Sequence, residues 1–190
     1  EFYQIKRPII QTHEKSTDGT QKWLFKLNDG NLIETVFIPE DNRGTLCISS
    51  QVGCTLNCTF CYTGTQKLVR NLTSEEIVSQ LLVAKDELSD WSNKHGRKIS
   101  NVVFMGMGEP FRNYDAVLGA ARRIMRDLGI GARHITISTV GLVPQIRRFA
   151  DECAETGLEI KLAISLHEAN DIKRSSIMPV NRKHDLSELM

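Results

Sequence analysis

His134-Ile-Thr-Ile-Ser138 and Ile160-Lys-Leu-Ala-Ile-Ser-Leu-His167 share one pattern, in which apolar residues alternate with small or polar ones. Successive side chains of a strand point to opposite faces. In the first stretch His134, Thr136 and Ser138 therefore oppose Ile135 and Ile137. In the second, Lys161, Ala163, Ser165 and His167 oppose Ile160, Leu162, Ile164 and Leu166. The apolar face can pack on helices. The small and polar face is expected to line a cavity, unlike the branched apolar filling of a complete eight-stranded barrel.

The neighbouring sequence repeats this rhythm. Strands are expected over residues 45–50, 100–105, 134–138 and 159–166. Helices are expected over residues 74–88, 114–128 and 143–156. Thr73 and Glu76 form a capping box at the start of the first helix. Strands separated by helices predict an α/β fold with parallel strands and right-handed crossovers, here an incomplete (β/α) barrel. Upstream, Trp23, Phe25 and Leu27 alternate with polar residues, Asn28-Asp29-Gly30 supplies a turn, and residues 32–38 resume strand character, which predicts a β-hairpin. Residues 1–44 are thus expected to form an N-terminal junction and β-hairpin outside the core, and residues 45–190 the core itself.

The loop after the first core strand carries the chemistry. Cys54-Thr-Leu-Asn-Cys58-Thr-Phe-Cys61 places three cysteines in a Cys-x3-Cys-x2-Cys spacing, with an aromatic residue before the last. Three thiolates on one short loop can hold three irons of a 4Fe-4S cluster and leave the fourth open to a small-molecule chelate. The spacing resembles the radical-SAM motif, in which S-adenosyl-L-methionine takes that iron. A structural zinc site, or an electron-transfer cluster with Cys47 as fourth ligand, are the alternatives from spacing alone. Four of the five cysteines fall between Cys47 and Cys61, which suits a cofactor site in a reducing compartment better than a disulfide framework. Cys153, in a helical stretch, reads as a core thiol.

Composition sets the remaining bounds. At 190 residues and 41% hydrophobic content the chain can bury one sizeable core. It shows no signal-peptide pattern and no apolar run long enough to span a bilayer, so no membrane partner and a cytoplasmic location are expected. A net charge of +1 confines any nucleic-acid surface to local patches. Lys94-His95-Gly96-Arg97-Lys98, Arg122-Arg123 with Arg126, Arg147-Arg148, Lys173-Arg174 and Arg182-Lys183-His184 permit RNA binding, and each also reads as a solvated helix face or loop.

Other positions at the carboxyl ends of the expected strands keep two readings. Gly106 and Gly108 allow a tight turn, or close approach of backbone to a ligand. Glu109 could hold an ammonium group. Ser138 is a helix cap or a hydroxyl aimed at a cofactor, and His167 a packed histidine or a ligand contact. Glu34 shares a strand face with Leu32, Val36 and Ile38, so partial desolvation is expected to raise its basicity, unless it is an edge charge that discourages aggregation. Cys47 alone reads as a small buried strand residue.

The order of motifs is more specific. Ile33-Glu-Thr-Val36, Cys47-Ile-Ser-Ser-Gln-Val-Gly-Cys54, Met105-Gly-Met-Gly-Glu-Pro110, Ser138-Thr-Val-Gly141, Ala163-Ile-Ser-Leu-His167 and Met178-Pro-Val-Asn181 resemble, in sequence order, the radical-SAM adenine-C2 methyltransferases of 23S rRNA and tRNA. The resemblance runs from about Trp23 to the last residue. It implies a radical-SAM partial barrel with Cys54, Cys58 and Cys61 as cluster ligands. It further implies Gly108, Glu109, Ser138, Ser165, Leu166 and His167 as S-adenosyl-L-methionine contacts. Glu34 matches the residue assigned as proton acceptor, and Cys47 the thiol that pairs transiently, through a disulfide, with a methyl-carrying cysteine.

The implied chemistry is methylation of adenine C2 through an S-methylcysteine, from which a deoxyadenosyl radical removes hydrogen before the carbon adds to the base. An electron donor such as flavodoxin or ferredoxin is implied as a partner beside 23S rRNA and tRNA. The chain begins at Glu1, ends after the fourth core strand and lacks a cysteine matching the methyl carrier, so it is expected to be a fragment of a longer enzyme that does not turn over alone. Three other readings stand beside this one: an adenine-C8 methyltransferase of the same superfamily, a non-catalytic iron–sulfur electron carrier, and a catalytically silent RNA-binding module.

Overall fold

The computed structural model describes residues 7–41, 43–91 and 96–190. Four antiparallel strands open the chain: β1 (Ile9–Lys15), β2 (Gln21–Lys26), β3 (Leu32–Glu40) and β4 (Arg43–Cys47). A short pair, β5 (Gln51–Val52) with β6 (Arg70–Asn71), brackets the cysteine loop and the one-turn helix α1 (Tyr62–Thr65). Three strand–helix alternations follow: α2 (Ser74–Glu87), β7 (Asn101–Phe104), α3 (Tyr114–Leu128), β8 (Ile135–Thr139), α4 (Val143–Thr156) and β9 (Lys161–Ile164). The short helices α5 (Asp171–Ile177) and α6 (Leu186–Leu189) come last.

One seven-stranded sheet runs in the order β1-β2-β3-β4-β7-β8-β9, with β4, β7, β8 and β9 parallel. The expected hairpin is β2–β3, and β3 pairs antiparallel with β4, so the hairpin continues the same sheet as the parallel strands. β1 adds a strand that the sequence does not signal. Its residues are almost all exposed, so no apolar alternation marks it, and pairing to β2 alone defines it.

The core lies between the apolar face of the sheet and the helices. Leu46, Val102, Phe104, Ile135 and Ile137 are buried against Ile77, Leu81, Val117, Ala121, Ile124 and Phe149. Each of these side chains larger than alanine contributes about 1.5–3 kcal/mol when fully buried. In α3 the buried residues Tyr114, Val117, Leu118, Ala121 and Ile124 recur at three- and four-residue spacing, forming one helical stripe. α2 opens with the expected capping box: the Glu76 amide donates to Thr73 Oγ1 at 3.2 Å and the Thr73 amide to Glu76 Oε2 at 3.0 Å.

Two strand ends depart from the sequence pattern, each for a local reason. The first core strand, expected to reach Ser50, stops at Cys47. Beyond it the Ser49 amide donates to Gln80 Oε1 at 2.8 Å, and Gln80 Nε2 donates back to the Ser49 carbonyl at 2.9 Å. A buried side chain on α2 thus replaces the strand ladder. β9, expected to reach Leu166, stops at Ile164; the Leu166 amide turns back onto the Ile164 carbonyl and His167 adopts φ +58°. β9 has a sheet neighbour on one side only, and Leu162 and Leu166 on its apolar face are 37% and 38% exposed, so that face is not fully covered.

Two substitutions test this scaffold by urea denaturation. Thr73→Ala removes half of the capping box and lowers stability by about 1 kcal/mol. Gln80→Leu leaves the Ser49 amide and carbonyl buried without their partner and costs about 3 kcal/mol.

Candidate functional site

The cysteine loop that follows β4 and the carboxyl ends of β7, β8 and β9 converge on one cavity of about 280 Å³. Three segments line it: the cysteine loop with Cys54, Cys58 and Cys61; the turn after β7 with Gly108 and Glu109; and the ends of β8 and β9 with Ser138, Ser165 and His167. Leu166, between two lining residues, does not border it, and neither do Glu34 and Cys47.

Backbone hydrogen bonds fold the cysteine loop back on itself. The Cys61 amide donates to the Cys58 carbonyl at 3.1 Å, and the Thr59 amide ties the loop to the Ile177 carbonyl at the end of α5, at 3.0 Å. Gly64 packs so tightly on this loop that a Cβ there would lie 2.8 Å from the Cys58 carbonyl oxygen. Burial, reinforced by the neighbouring thiols and Glu109, pushes the Cys58 thiol up to about 11, and burial likewise raises Cys54. These two thiols are therefore protonated at neutral pH, and a metal would displace their protons on binding. Among the described residues no three His, Cys, Asp or Glu side chains converge on a single-ion position. Three thiols spread round one cavity instead fit a polynuclear cluster, in which each sulfur takes a different iron.

Glu109 lines the same cavity as the cysteines and is 2% exposed. Its Oε1 accepts from the Phe111 amide and its Oε2 from the Val140 amide, both at 3.0 Å. Burial pushes its pKa upward against those hydrogen bonds. A carboxylate so held is a fixed acceptor for a cationic group entering the cavity. Gly108 is required beside it: at φ +95° it places a would-be Cβ 2.5 Å from Gln51 Cβ, while Gln51 Oε1 accepts the Glu109 amide at 2.8 Å. Across the cavity the Ser138 and Ser165 hydroxyls lie 3.3 Å apart. His167 packs on Phe60 with ring centroids 4.1 Å apart. Phe60 lines the cavity, and the aromatic residue before Cys61 was the sequence signal for it.

Glu34 does not match its expected environment. Leu32 and Ile38, its partners in the apolar stripe, are 40% and 41% exposed. The Glu34 carboxylate pairs with Lys22 Nζ at 2.7 Å, with both side chains 43% exposed, so the expected desolvation does not arise. Cys47 lies opposite Val36 on β3, and Val36 and Glu34 are two residues apart, so Glu34 and Cys47 face the same side of the sheet. Burial pushes the Cys47 thiol up to about 11, partly offset by the Met105 amide.

Most of the basic patches are already engaged. Arg123 pairs with Glu75 at 2.7 Å, Arg122 with Glu152, and Arg126 with Asp127 at 2.6 Å. Arg148 pairs with Asp115 and lies over the Tyr114 ring. His184 is buried against Glu188. Arg174 is fully buried, so Lys173-Arg174 is not a surface patch. Lys94 and His95 lie outside the described residues. No described helix is long and apolar enough to cross a membrane.

The Cys47 environment sets a pH dependence. A thiol titrating near 11 is only about one part in a thousand thiolate at pH 8, and its alkylation rate rises about tenfold per pH unit up to the pKa. Site-resolved mass spectrometry of iodoacetamide labelling in the metal-free protein reads this directly. In urea the Cys47 midpoint falls back to about 8.5, the value of an unperturbed thiol.

Comparison with known proteins agrees with this geometry. The family model described as "Radical SAM superfamily" matches residues 48–190. The chain is 52% identical over 190 residues to a protein of Rhodospirillum rubrum named "Dual-specificity RNA methyltransferase RlmN", covering 98% of this chain and 43% of the relative. It is 50% identical over 193 residues to a Zymomonas mobilis protein of the same name, covering 100% of this chain and 48% of that one. A solved radical SAM methyltransferase from Sphaerobacter thermophilus superposes with a TM-score of 0.85 at 43% identity, covering 96% of this chain and 52% of that structure. The chain thus spans about half the length of the curated relatives it matches. The superfamily's cofactors are a 4Fe-4S cluster and S-adenosyl-L-methionine, and the three thiols round one cavity fit the first. With the fold, the thiol arrangement and a family match over most of its length in agreement, this chain belongs to the radical SAM superfamily.

Proposed function

We propose that this chain is the cofactor-binding part of a radical S-adenosyl-L-methionine RNA methyltransferase that methylates adenine C2 in 23S rRNA and tRNA. The observation that carries the reading is the convergence of three thiols, a buried carboxylate and two hydroxyls on one cavity at the carboxyl ends of parallel strands. The relatives' shared name, a dual-specificity RNA methyltransferase, supports the substrate class. Residues 1–44 then form the junction and hairpin and residues 45–190 the cofactor-binding core.

Within this reading each residue has a task. Cys54, Cys58 and Cys61 hold the cluster, which when bound supplies the electron that opens S-adenosyl-L-methionine reductively. Glu109 takes the cofactor's ammonium group, since its carboxylate is fixed by two backbone amides at the cavity wall. Gly108 admits the cofactor close to the backbone. Ser138 and Ser165 supply adjacent hydroxyls and His167 and Phe60 a paired aromatic wall, while Leu166 links Ser165 to His167 and accepts from Arg174 through its carbonyl. Glu34 receives a proton, and Cys47 forms the transient disulfide with a methyl-carrying cysteine. A buried Cys47 thiol near 11 needs its proton removed before it can attack, so the methyl-carrying intermediate is not resolved prematurely. Low-potential electron donors of the flavodoxin or ferredoxin class, and a reducing cytoplasm, complete the reading.

Anaerobic reconstitution with iron and sulfide, followed by EPR of the reduced full-length enzyme, tests it. The expected result is a 4Fe-4S signal that changes when S-adenosyl-L-methionine is added. A signal indifferent to the cofactor would favour the electron carrier, in which Cys47→Ala also loses the cluster; here Cys47→Ala retains it. Glu109→Gln keeps the fold but weakens S-adenosyl-L-methionine binding about tenfold or more, the worth of a charged hydrogen bond. An EPR titration reads that shift. Chromatography of the product nucleosides against 2-methyladenosine and 8-methyladenosine standards, with mass detection, fixes the regiochemistry; the new carbon is expected on C2 rather than C8.

A further inference from the structure

Arg174 on α5 is fully buried, yet among the described residues no carboxylate lies within ion-pair distance of its guanidinium. Every hydrogen bond it makes goes to a neutral oxygen. Nε donates to the Leu166 carbonyl at 3.1 Å, and Nη2 to the Val140 carbonyl at 2.7 Å and, at 3.5 Å, to the Ser165 carbonyl. Nη1 donates to Asn181 Oδ1. Asp171 stands one step removed: its Oδ1 accepts from Asn181 Nδ2 at 2.8 Å and from the Leu186 amide at 2.9 Å. An unpaired buried charge is costly, and four neutral acceptors solvate the guanidinium without neutralising it.

The guanidinium lies behind the wall of the cavity that the cysteines line. Val140 and Ser165, whose carbonyls hold the guanidinium, both line the cavity with the three cysteines. α5 is bonded to the loop through the Thr59 amide and the Ile177 carbonyl, one helical turn from Arg174.

We infer that Arg174 is a positioning and electrostatic residue of the cofactor site, a fixed positive charge behind the cavity wall that raises the reduction potential of the cluster bound by Cys54, Cys58 and Cys61. The inference rests on the proposed cluster. Three thiolates leave that cluster with net negative charge, and one-electron reduction makes it more negative, so a buried cation favours the reduced form. Net charge near a cluster is one of the levers that set its potential. At an effective dielectric of about 20, a unit charge acting over about 12 Å changes such an equilibrium by about tenfold.

The test is an EPR-monitored redox titration of the reconstituted full-length enzyme, with dithionite as reductant and unfolding midpoints measured in parallel. Arg174→Gln removes the charge but keeps hydrogen-bond donors, and its cluster is expected to be about tenfold harder to reduce, a shift of about 59 mV to lower potential for a one-electron couple. Arg174→Lys keeps the charge and loses the planar fork; it is expected to lose stability while its potential stays near that of the parent. The exchange Asp171→Asn with Asn181→Asp keeps the hydrogen bond between the two side chains and places the carboxylate directly on Arg174, and so is expected to lower the potential in the same direction as Arg174→Gln. This double variant keeps the question answerable where Arg174→Gln does not fold. Equal potentials in the parent and in the folded double variant, or in the parent and a folded Arg174→Gln, overturn the inference and leave Arg174 a purely structural latch. A parent enzyme that takes up no cluster would instead overturn the proposed function, and this inference with it.

Discussion

The side-chain amide of Gln80 stands in for a strand where β4 leaves the sheet. It exchanges two hydrogen bonds with Ser49 and accepts a third from Thr35 Oγ1 at 2.8 Å. Ser49 can then use its hydroxyl elsewhere, donating to the Glu34 carbonyl at 2.6 Å and accepting the Met107 amide at 2.9 Å. The Met107 carbonyl in turn receives the Ser50 and Gln51 amides, and Gln51 Oε1 receives the Glu109 amide. Asn113 closes the circuit by donating to the carbonyls of Ser50 and Leu72, each at 2.8 Å. The cysteine loop and the Gly-rich turn after β7 are thereby fixed to each other through buried polar groups, with little regular secondary structure between them. Satisfied networks of this kind rigidify a site because every member left unpaired would carry a desolvation cost.

That rigidity has a chemical use. Cys54 and Cys58, Glu109 and Arg174 are all withdrawn from water at the carboxyl end of one sheet. Burial opposes charge on each of them: the thiols and the carboxyl are shifted towards neutrality, and Arg174 is shifted down in spite of its neighbours. A site in which potential anions and a cation are separately desolvated is poised to gain when ligands of matching charge enter. Metal ions would take the thiol protons, and an ammonium group would complement the carboxyl. The same burial that disfavours charge on these groups makes these interactions stronger once they form.

Several features were legible in the chain because they are local. The Thr73/Glu76 capping box, the α3 and α4 boundaries and the alternation of β8 follow from spacing along the sequence. The cysteine spacing likewise named its chemistry, since three thiols on one loop must lie close together whatever surrounds them. Illegible features were those defined by a distant partner. β1 exists through its pairing with β2, and the Glu34 stripe, apolar in sequence, meets Lys22 and solvent in the folded chain. Lys173-Arg174 reads as two surface cations, but α5 turns the second inward. Gln80 looks like an ordinary polar position on α2, and only the departing end of β4 gives it a role.

The sequence by itself determined the order of the core strands and helices, the alternation that brings Ser138 at the end of β8, and Ser165 and His167 just beyond β9, to the cavity, and the set of thiols able to hold a cluster. Period and spacing encode these, because they depend on bonds and side-chain directions within a few residues. Tertiary structure alone decided which of the candidates meet. It brought Glu109 and His167 to the cysteines across more than forty residues of chain, left Glu34 and Cys47 on a neighbouring part of the sheet, and buried Arg174 behind the cavity wall. Charge and desolvation act through space, and the distances that govern them are fixed only when the parallel strands align their carboxyl ends.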